Sequence, residues 1–254
     1  MHERQPAGTA LLEARAVTVR FGGLTAVDEV SARFGAGELV GIIGPNGAGK
    51  TTFFNALSGV TPPTSGDLLV EGARMAGARP DRFARRGVAR TFQTPRVFAG
   101  LSVADNVAFG LQFAGRKREA PPLLRDAAAI LRVIGLVGQA GLPAAAITPS
   151  QQRLLEIGMA LATRPKLLLL DEVAAGLTES EVEDMARLIR GLRDDFGLTV
   201  IWIEHAVTTL MRYVERVLVL HQGRKIADAP PHEVVRNAEV VEAYLGDEMA
   251  GVEP

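Results

Sequence analysis

The chain has 254 residues, of which 47% are hydrophobic, and its formal net charge is −1. This length and composition are sufficient for one large domain, or for a core with a smaller lobe. A charge balance so close to zero argues against a general nucleic-acid binder, which usually carries a strong basic excess. Because the sequence contains no cysteine, disulfides, cysteine-ligated metals and thiol catalysis are excluded.

Neither a signal peptide nor a membrane-spanning helix is predicted. Residues 1–10 are polar and lack the apolar segment of a signal peptide. The longest apolar runs are strand-sized, well short of the ~18 residues that a spanning helix needs. We therefore expect that, if the protein acts at a membrane, it lies against the membrane surface. One basic cluster indicates either a solvated helix face or a surface for a partner or anionic lipid: Arg79, Arg82, Arg85, Arg86 and Arg90.

Strands and helices alternate towards both ends of the chain. Alternating apolar and polar residues predict a strand at 17–21, and apolar runs predict strands at 39–43, 167–170, 199–203 and 216–220. A helix is predicted from Lys50 to about Leu57. A second helix should follow a capping box of Thr178 and Glu181, because apolar residues then recur at helical spacing. This alternation predicts a largely parallel sheet.

The middle of the chain has a different pattern. From about Asn106 to Ala162 it is mainly helical, with interruptions at 115–122 and 140–149. We interpret this region as a helical lobe inserted into an α/β core. No internal repeat is present, which predicts one such core per chain.

A phosphate-binding loop is predicted at 44–52, where the sequence matches the pattern G-x-x-x-x-G-K-[ST]. Its glycines allow successive backbone N–H groups to point at phosphate oxygens, and the next helix adds its dipole. Lys50 would supply a charge for the β- and γ-phosphates, and the Thr51 hydroxyl could bind Mg²⁺. The alternative is a glycine-rich turn with an exposed lysine. The position between a predicted strand and a predicted helix favours the phosphate loop.

Two carboxylates, Asp171 and Glu172, follow the apolar strand at 167–170. Ligands of parallel sheets bind at the carboxyl ends of the strands. Asp171 could hold Mg²⁺ directly or through water, and Glu172 could polarise the water that attacks the γ-phosphate. Two acids after a strand are more often the first turn of a helix, but the upstream phosphate loop favours a catalytic role.

With these two elements placed, the chain resembles the ABC ATPases. The resemblance implies a P-loop NTPase (RecA-like) α/β core with an antiparallel β subdomain and an inserted α-helical subdomain. Phe21 resembles the aromatic residue that stacks on adenine, Gln93 the glutamine that senses Mg²⁺ and links to the membrane subunit, and His205 the switch histidine. Residues 174–177 resemble the D-loop. The implied contacts to ATP include Val27, Asn46, Gly47, Ala48, Gly49, Lys50, Thr51 and Thr52, and those to Mg²⁺ are Thr51, Gln93 and Asp171.

The subfamily is indicated by four segments, at 88–93, 155–157, 174–177 and 243–246. They resemble the ATP-binding subunits of branched-chain amino acid importers. The resemblance implies two integral membrane permease subunits, an indirect link to a solute-binding protein, and a place at the cytoplasmic face of the inner membrane. The transported solute does not follow, because related importers carry urea, amides or aromatic acids.

The resemblance also divides the chain. A single ABC ATPase domain is predicted at 11–246, with an α/β core at 11–92 and 163–246 and a helical lobe at about 93–162. Residues 1–10 and 247–254 are predicted to be flexible tails.

The sequence departs from the family in its signature loop, which contacts the ATP bound to the opposite subunit. Here the loop contains Thr148, Pro149, Ser150 and Gln151 in place of a Ser-Gly-Gly-Gln motif. Thr148 can replace the serine, but Pro149 lacks an N–H donor, and Ser150 adds a side chain where glycine permits close approach. The chain thus has a complete phosphate loop but an altered signature. This asymmetry predicts a heterodimer with a second ABC ATPase subunit. Val173, where the family usually has proline, is a milder departure.

Two other functions remain as alternatives. A soluble ABC ATPase of DNA repair or translation usually has tandem domains, long helical inserts or basic arms, and none is visible here. A catalytically degenerate regulatory subunit would explain the altered signature. However, the catalytic set is complete in the sequence, with Lys50, Gln93, Asp171, Glu172 and His205 all present.

Overall fold

A computed structural model describes residues 10–75, 77–114, 124–204 and 207–250. Within them, ten strands form two sheets: β1 (Leu12–Phe21), β2 (Leu24–Phe34), β3 (Leu39–Ile43), β4 (Ser65–Val70), β5 (Ala73–Arg74), β6 (Val88–Arg90), β7 (Leu167–Asp171), β8 (Thr199–Ile203), β9 (Arg216–His221) and β10 (Arg224–Ala229). The helices in the described residues are α1 (Lys50–Leu57), α2 (Pro80–Arg85), α3 (Val103–Gln112), α4 (Ala127–Val133), α5 (Pro149–Ala162), α6 (Glu179–Asp194), α7 (Val207–Tyr213), α8 (Pro231–Val234) and α9 (Ala238–Ala250).

The smaller sheet has four antiparallel strands in the order β2-β1-β4-β5. The larger sheet has six strands in the order β10-β9-β3-β8-β7-β6, with parallel pairing from β9 to β6 and an antiparallel β10 at one edge. This confirms the largely parallel sheet predicted from the sequence.

The central strands of the larger sheet place the site. All residues of β3, β7 and β8 are buried. Strands covered on both faces need continuous apolar sequences, which is why these three have no alternating pattern. Since β3 and β7 run parallel with β8 between them, the loop after β3 and the acids at the end of β7 lie at the same edge of the sheet.

Helices α3, α4 and α5 lie between β6 and β7 in the sequence, and they pack against one another in the structure. Helix α3 approaches α5 closely at Gly110. A Cβ atom at this position would lie only 2.7 Å from the Met159 carbonyl oxygen. The predicted helical character of this region is confirmed, and the interruption at 140–149 contains a short 3-10 helix (Ala144–Ala146). The interruption predicted at 115–122 lies outside the described residues.

The chain ends differ from the prediction in one respect. Helix α9 continues to Ala250, so the helix extends beyond the predicted domain end at residue 246. Of the predicted tails, residues 1–9 and 251–254 lie outside the described residues. None of the helices that the structure describes is long and apolar enough to cross a membrane.

Candidate functional site

The segment 44–52 connects β3 to α1 and requires glycine at two positions. Gly44 and Gly49 have φ angles of 152° and 92°. A Cβ atom at Gly44 would lie 2.1 Å from the Leu220 carbonyl oxygen, and one at Gly49 would lie 2.3 Å from the Ala26 carbonyl oxygen. Both the backbone conformation and the close packing therefore exclude other residues.

Lys50 is buried at the start of α1 and folds back over the loop. Its Nζ donates to the carbonyl oxygens of Gly44 at 2.6 Å and Pro45 at 2.8 Å. The ammonium is thus held against the loop backbone, where a phosphate bound by the loop would meet it.

A cleft of about 390 Å³ lies over this loop and is lined by Phe21, Leu24, Ala26, Asn46, Gly47, Ala48, Gly49, Lys50, Thr51, Thr52 and Glu172. Phe21 is 53% exposed, which leaves its ring accessible at the edge of the cleft. The structure does not bring Val27 to the cleft. Its side chain is fully buried in the hydrophobic core, because the strand alternation turns it inwards, and the neighbouring Ala26 lines the cleft instead.

Asp171 ends β7 and is buried beside Arg90. The Arg90 Nη2 donates to Asp171 Oδ2 at 3.2 Å, and the Asp171 N–H donates to the Thr91 hydroxyl at 3.2 Å. Burial lowers the pKa of Arg90, and the Asp171 charge opposes that shift. Arg90 also donates to Asn55 and Ser58 of the segment that begins with α1, so it connects the two halves of the site.

This position of Arg90 corrects the basic cluster predicted from the sequence. The other four arginines of the cluster are exposed on or beside α2, as expected for a solvated helix face. The Arg90 side chain is only 11% exposed and its guanidinium lies 4.6 Å from the centre of the Phe92 ring. It therefore belongs to the interior of the site.

Glu172 and Gln93 are in direct contact. The Gln93 Nε2 donates to Glu172 Oε2 at 2.7 Å, although the two residues are 79 positions apart. Glu172 is buried and has a φ angle of 50°, a left-handed conformation that is uncommon for a residue with a side chain. Its backbone is held on both sides, because its N–H donates to the Ile203 carbonyl at 3.0 Å and its carbonyl accepts from Arg153 Nη1 at 2.9 Å.

The turn after Glu172 is fixed by Glu204. The buried Glu204 carboxylate accepts from the Ala174 N–H at 2.7 Å and from Trp202 Nε1 at 3.0 Å. Val173 is buried in the core, so an apolar side chain replaces the family's proline without exposing a polar group. The predicted His205 lies outside the described residues.

The altered signature forms the start of α5. Thr148 is the N-cap, and it forms a capping box in which its Oγ1 accepts from the Gln151 N–H and its own N–H donates to Gln151 Oε1. Pro149 occupies the first helical position, where proline is favourable because its fixed φ matches a helix. The Ser150 hydroxyl lies 3.0 Å from Thr148 Oγ1. None of these four residues lines the cleft over the phosphate loop.

A second, mostly apolar surface lies between the sheet and the helical region. A groove of about 550 Å³ is lined there by residues that include Phe92, Arg96, Phe98, Phe109 and Phe113. The last three rings are stacked edge to face and stay 44%, 36% and 65% exposed.

Several residues of the site could not be identified by motif matching. Glu156 and Glu204, which are buried, and Arg90, which is half-buried, all contact it. Tyr244 in α9 places its buried hydroxyl near the Gly44 N–H, and burial raises its pKa to about 12. The available signal was a charged or polar residue within an apolar segment, as for Glu156 between Leu155 and Ile157.

A phosphate loop after one parallel strand, with paired acids at the end of another, defines a P-loop nucleotide-binding protein. Comparison with protein families gives the same class. The ABC transporter family model matches residues 27–175, and the model for branched-chain amino acid ATP-binding cassette transporters matches residues 224–250.

Curated relatives match over nearly their whole length. The branched-chain amino acid transport ATP-binding protein BraF of Pseudomonas aeruginosa is 37% identical over 93% of this chain and 98% of its own. LivG of Escherichia coli, with the same description, is 36% identical with the same coverage. Among solved structures, the ADP conformation of MJ1267, an ATP-binding cassette of an ABC transporter, has a TM-score of 0.82 at 28% identity, covering 94% of this chain and 100% of that one.

The chain belongs to the ABC transporter family, as an ATP-binding subunit with the P-loop NTPase fold. Its activity class is nucleotide binding with ATP hydrolysis. The predicted fold class and family are thereby confirmed.

Proposed function

We propose that the chain is the ATP-hydrolysing subunit of an importer for branched-chain or related amino acids. The names of BraF and LivG and the C-terminal family match support this solute class. Two integral membrane permeases would form the path of the solute, with the chain at the cytoplasmic face of the inner membrane and a solute-binding protein linked indirectly. The core at 11–92 and 163–246 would bind ATP, and the lobe at about 93–162 would contact the permeases.

The contact of Gln93 with Glu172 is the observation that supports hydrolysis most directly. A catalytic carboxylate needs a fixed position close to the attacking water. Glu172 lines the same cleft as Lys50 and accepts a hydrogen bond from the glutamine amide, which supports a role in polarising a water beside the γ-phosphate. Phe21 would stack on the adenine, and Asn46 with the loop residues 47–52 would hold the phosphates.

The Mg²⁺ ligands that we propose are Thr51, Gln93 and Asp171. Their hydroxyl, amide and carboxylate oxygens are the donor types that Mg²⁺ prefers, so these residues would hold the ion. When bound, the ion would neutralise charge on the β- and γ-phosphates. His205 would contact the γ-phosphate, as in the family.

The signature at 148–151 would contact the nucleotide of a second ABC ATPase subunit. Pro149 leaves the start of α5 with one N–H fewer than the family's glycine provides. We infer a heterodimer in which this chain has a complete phosphate loop and a weaker signature. The altered signature also fits the competing function, a regulatory subunit that binds ATP without hydrolysing it.

One experiment separates these functions and tests the solute. The assembly that co-purifies with the tagged chain is reconstituted in vesicles with its solute-binding protein. We expect leucine, isoleucine or valine to stimulate ATP hydrolysis and to accumulate inside, and Glu172→Gln in this chain to reduce both. Full stimulation in the Glu172→Gln assembly would support the regulatory subunit instead. Stimulation by urea or an aromatic acid, but not by branched-chain amino acids, would contradict the proposed solute class.

A further inference from the structure

Helix α5 contacts Glu172 and the segment that carries Gln93. The helix begins with the signature residues at 148–151, and its next turns carry Arg153 and Glu156. Residues three positions apart lie on the same face of a helix. Arg153 and Glu156, here called the α5 pair, both face the catalytic site of their own subunit.

Arg153 holds the residue that carries the catalytic carboxylate. Its Nη1 donates to the Glu172 carbonyl at 2.9 Å. This bond is notable because Glu172 has a positive φ angle of 50°, which the surroundings must stabilise. The Arg153 side chain is half-buried, so the bond to the carbonyl is partly shielded from water.

Glu156 holds the segment that carries Gln93. Its Oε2 accepts from the Phe92 N–H at 3.2 Å, and its Oε1 accepts from the Arg96 N–H at 2.9 Å. These two N–H groups lie on either side of Gln93 in the sequence. Glu156 is only 5% exposed, and burial raises its pKa while the Arg96 and Phe92 N–H groups oppose the shift. A buried carboxylate is costly, and here both of its oxygens have backbone partners.

The contacts close into a ring. One side runs from α5 through Arg153 to Glu172, the other from α5 through Glu156 to the Gln93 segment, and the 2.7 Å bond between Gln93 and Glu172 joins them. Movement of α5 relative to the sheet therefore acts on both members of the pair.

We propose that Arg153 and Glu156 are positioning residues that couple the signature end of α5 to the catalytic carboxylate of the same subunit. This rests on the proposed roles of Glu172 and the signature. When the start of α5 engages the nucleotide of the opposite subunit, the α5 pair fixes the Glu172 backbone and the Gln93 segment. Contact of one subunit with the nucleotide of its partner thus fixes the positions of Glu172 and Gln93 in the first subunit's own site.

The first test removes the bond from Arg153 in the assembly that co-purifies with the full chain. Arg153→Met keeps the apolar stem, so we expect thermal unfolding and the KM for ATP to stay near the parental values. We expect kcat to fall by about tenfold to a hundredfold, since small displacements of reacting groups have effects of this size. Arg153→Lys should recover most of the rate, because the bond uses one donor. Arg132→Ala, an exposed arginine of α4, is the matched control with parental kinetics.

Glu156→Gln tests the other half of the ring. The amide has a single acceptor oxygen, so one of the two backbone N–H groups loses its partner. We expect a lower kcat in this variant as well. A parental kcat in both Arg153→Met and Glu156→Gln would overturn the proposal.

The decisive measurement combines Arg153→Met with Glu172→Gln, using single-turnover hydrolysis of labelled ATP to resolve slow rates. If Arg153 acts through Glu172, its loss changes the residual rate by less than about twofold, because coupled residues are not additive. A full additional loss would mean that Arg153 stabilises the protein elsewhere. It would overturn the positioning role of Arg153 but not the proposed role of Glu172. Parental hydrolysis by Glu172→Gln would contradict the role of Glu172, and the positioning role with it.

Discussion

At the scale of single residues, Lys50 has an observed structural role, and we propose a chemical one. Its ammonium bonds two carbonyl groups of the phosphate loop and lies in the cleft. We expect Lys50→Ala to abolish hydrolysis and to weaken ATP binding, because the phosphates lose a fixed opposite charge. Binding of a fluorescent ATP analogue and steady-state ATPase measure the two effects. Lys166→Ala is the control, since its surface ion pair with Glu71 should contribute about 1 kcal/mol or less. Near-parental turnover in Lys50→Ala would refute the assignment of the loop.

Substitution of Glu172 is expected to slow ATP hydrolysis without weakening ATP binding. Glu172→Gln keeps the shape of the side chain and one oxygen for the Gln93 amide, so the fold and ATP binding should be retained. Loss of a positioned base should slow hydrolysis by roughly 10²–10⁴, and His205→Ala should be similarly slow. Glu179→Gln, an exposed residue of α6, should behave like the parent. If Glu172→Gln hydrolyses ATP at the parental rate, another group polarises the water.

Residues with a local motif could be located from the sequence, whereas residues defined by distant contacts could not. The loop at 44–52 follows a fixed sequence pattern, and Asp171 and Glu172 are adjacent at the end of an apolar run, so both could be located without tertiary contacts. Arg90 was assigned to an exposed cluster because its neighbours are arginines, whereas its partner Asp171 lies 81 positions away. The contact of Glu156 with Phe92 spans 64 positions, and no local pattern indicates it.

At the scale of elements, the start of α5 is well formed despite its unusual sequence. The capping box and Pro149 at the first position both stabilise the helix. The signature is therefore altered in its hydrogen-bond donors and not in its helical conformation.

We expect glycine at both 149 and 150 to raise activity at the partner's phosphate loop, where one lost transition-state donor can cost roughly 10²–10³ in rate. This chain's own site should change little.

The measurement is the steady-state ATPase of the reconstituted pair, with one phosphate-loop lysine removed at a time. Before the glycines are introduced, loss of Lys50 should be more damaging than loss of the partner's lysine. Equal losses would show that the two sites are equivalent and would refute the asymmetry.

The aromatic groove is the second element-scale feature. Three apolar residues, Val97, Phe98 and Leu101, follow Gln93 in the sequence. Phe98 and Leu101 are exposed, but Val97 is half-buried and packs against the core, while Phe109 and Phe113 extend the surface. An exposed patch of stacked rings is typical of an interaction site.

We expect a crosslinker at Arg96 or Ala99, beside these rings, to capture an integral membrane protein. The readout is the identity of the crosslinked species in membranes that contain the assembly. A crosslinker at Arg190 on α6, which does not line the groove, is the control. Capture of soluble proteins alone would count against a permease at this groove.

At the scale of the whole molecule, the order of strands in the larger sheet could be predicted only in part. Parallel pairing followed from the apolar runs and the intervening helices. The edge position of β6, which brings Gln93 next to β7, did not, because β6 has only three residues and no distinctive pattern. The same limit applied to α9, whose Tyr244 lies near the phosphate loop although they are 200 positions apart in the chain. Long-range packing, and not local preference, decides such contacts.

Trp202 gives this architecture a spectroscopic consequence. It is the single tryptophan of the chain, it is fully buried in β8, and its indole N–H bonds the Glu204 carboxylate that also holds the turn after Glu172. The tryptophan emission of the chain therefore comes from one ring, which is linked by two hydrogen bonds, through Glu204, to the backbone that follows Glu172. Any rearrangement of that turn changes the electric field at the indole, so the unlabelled protein contains its own optical reporter of the state of the site.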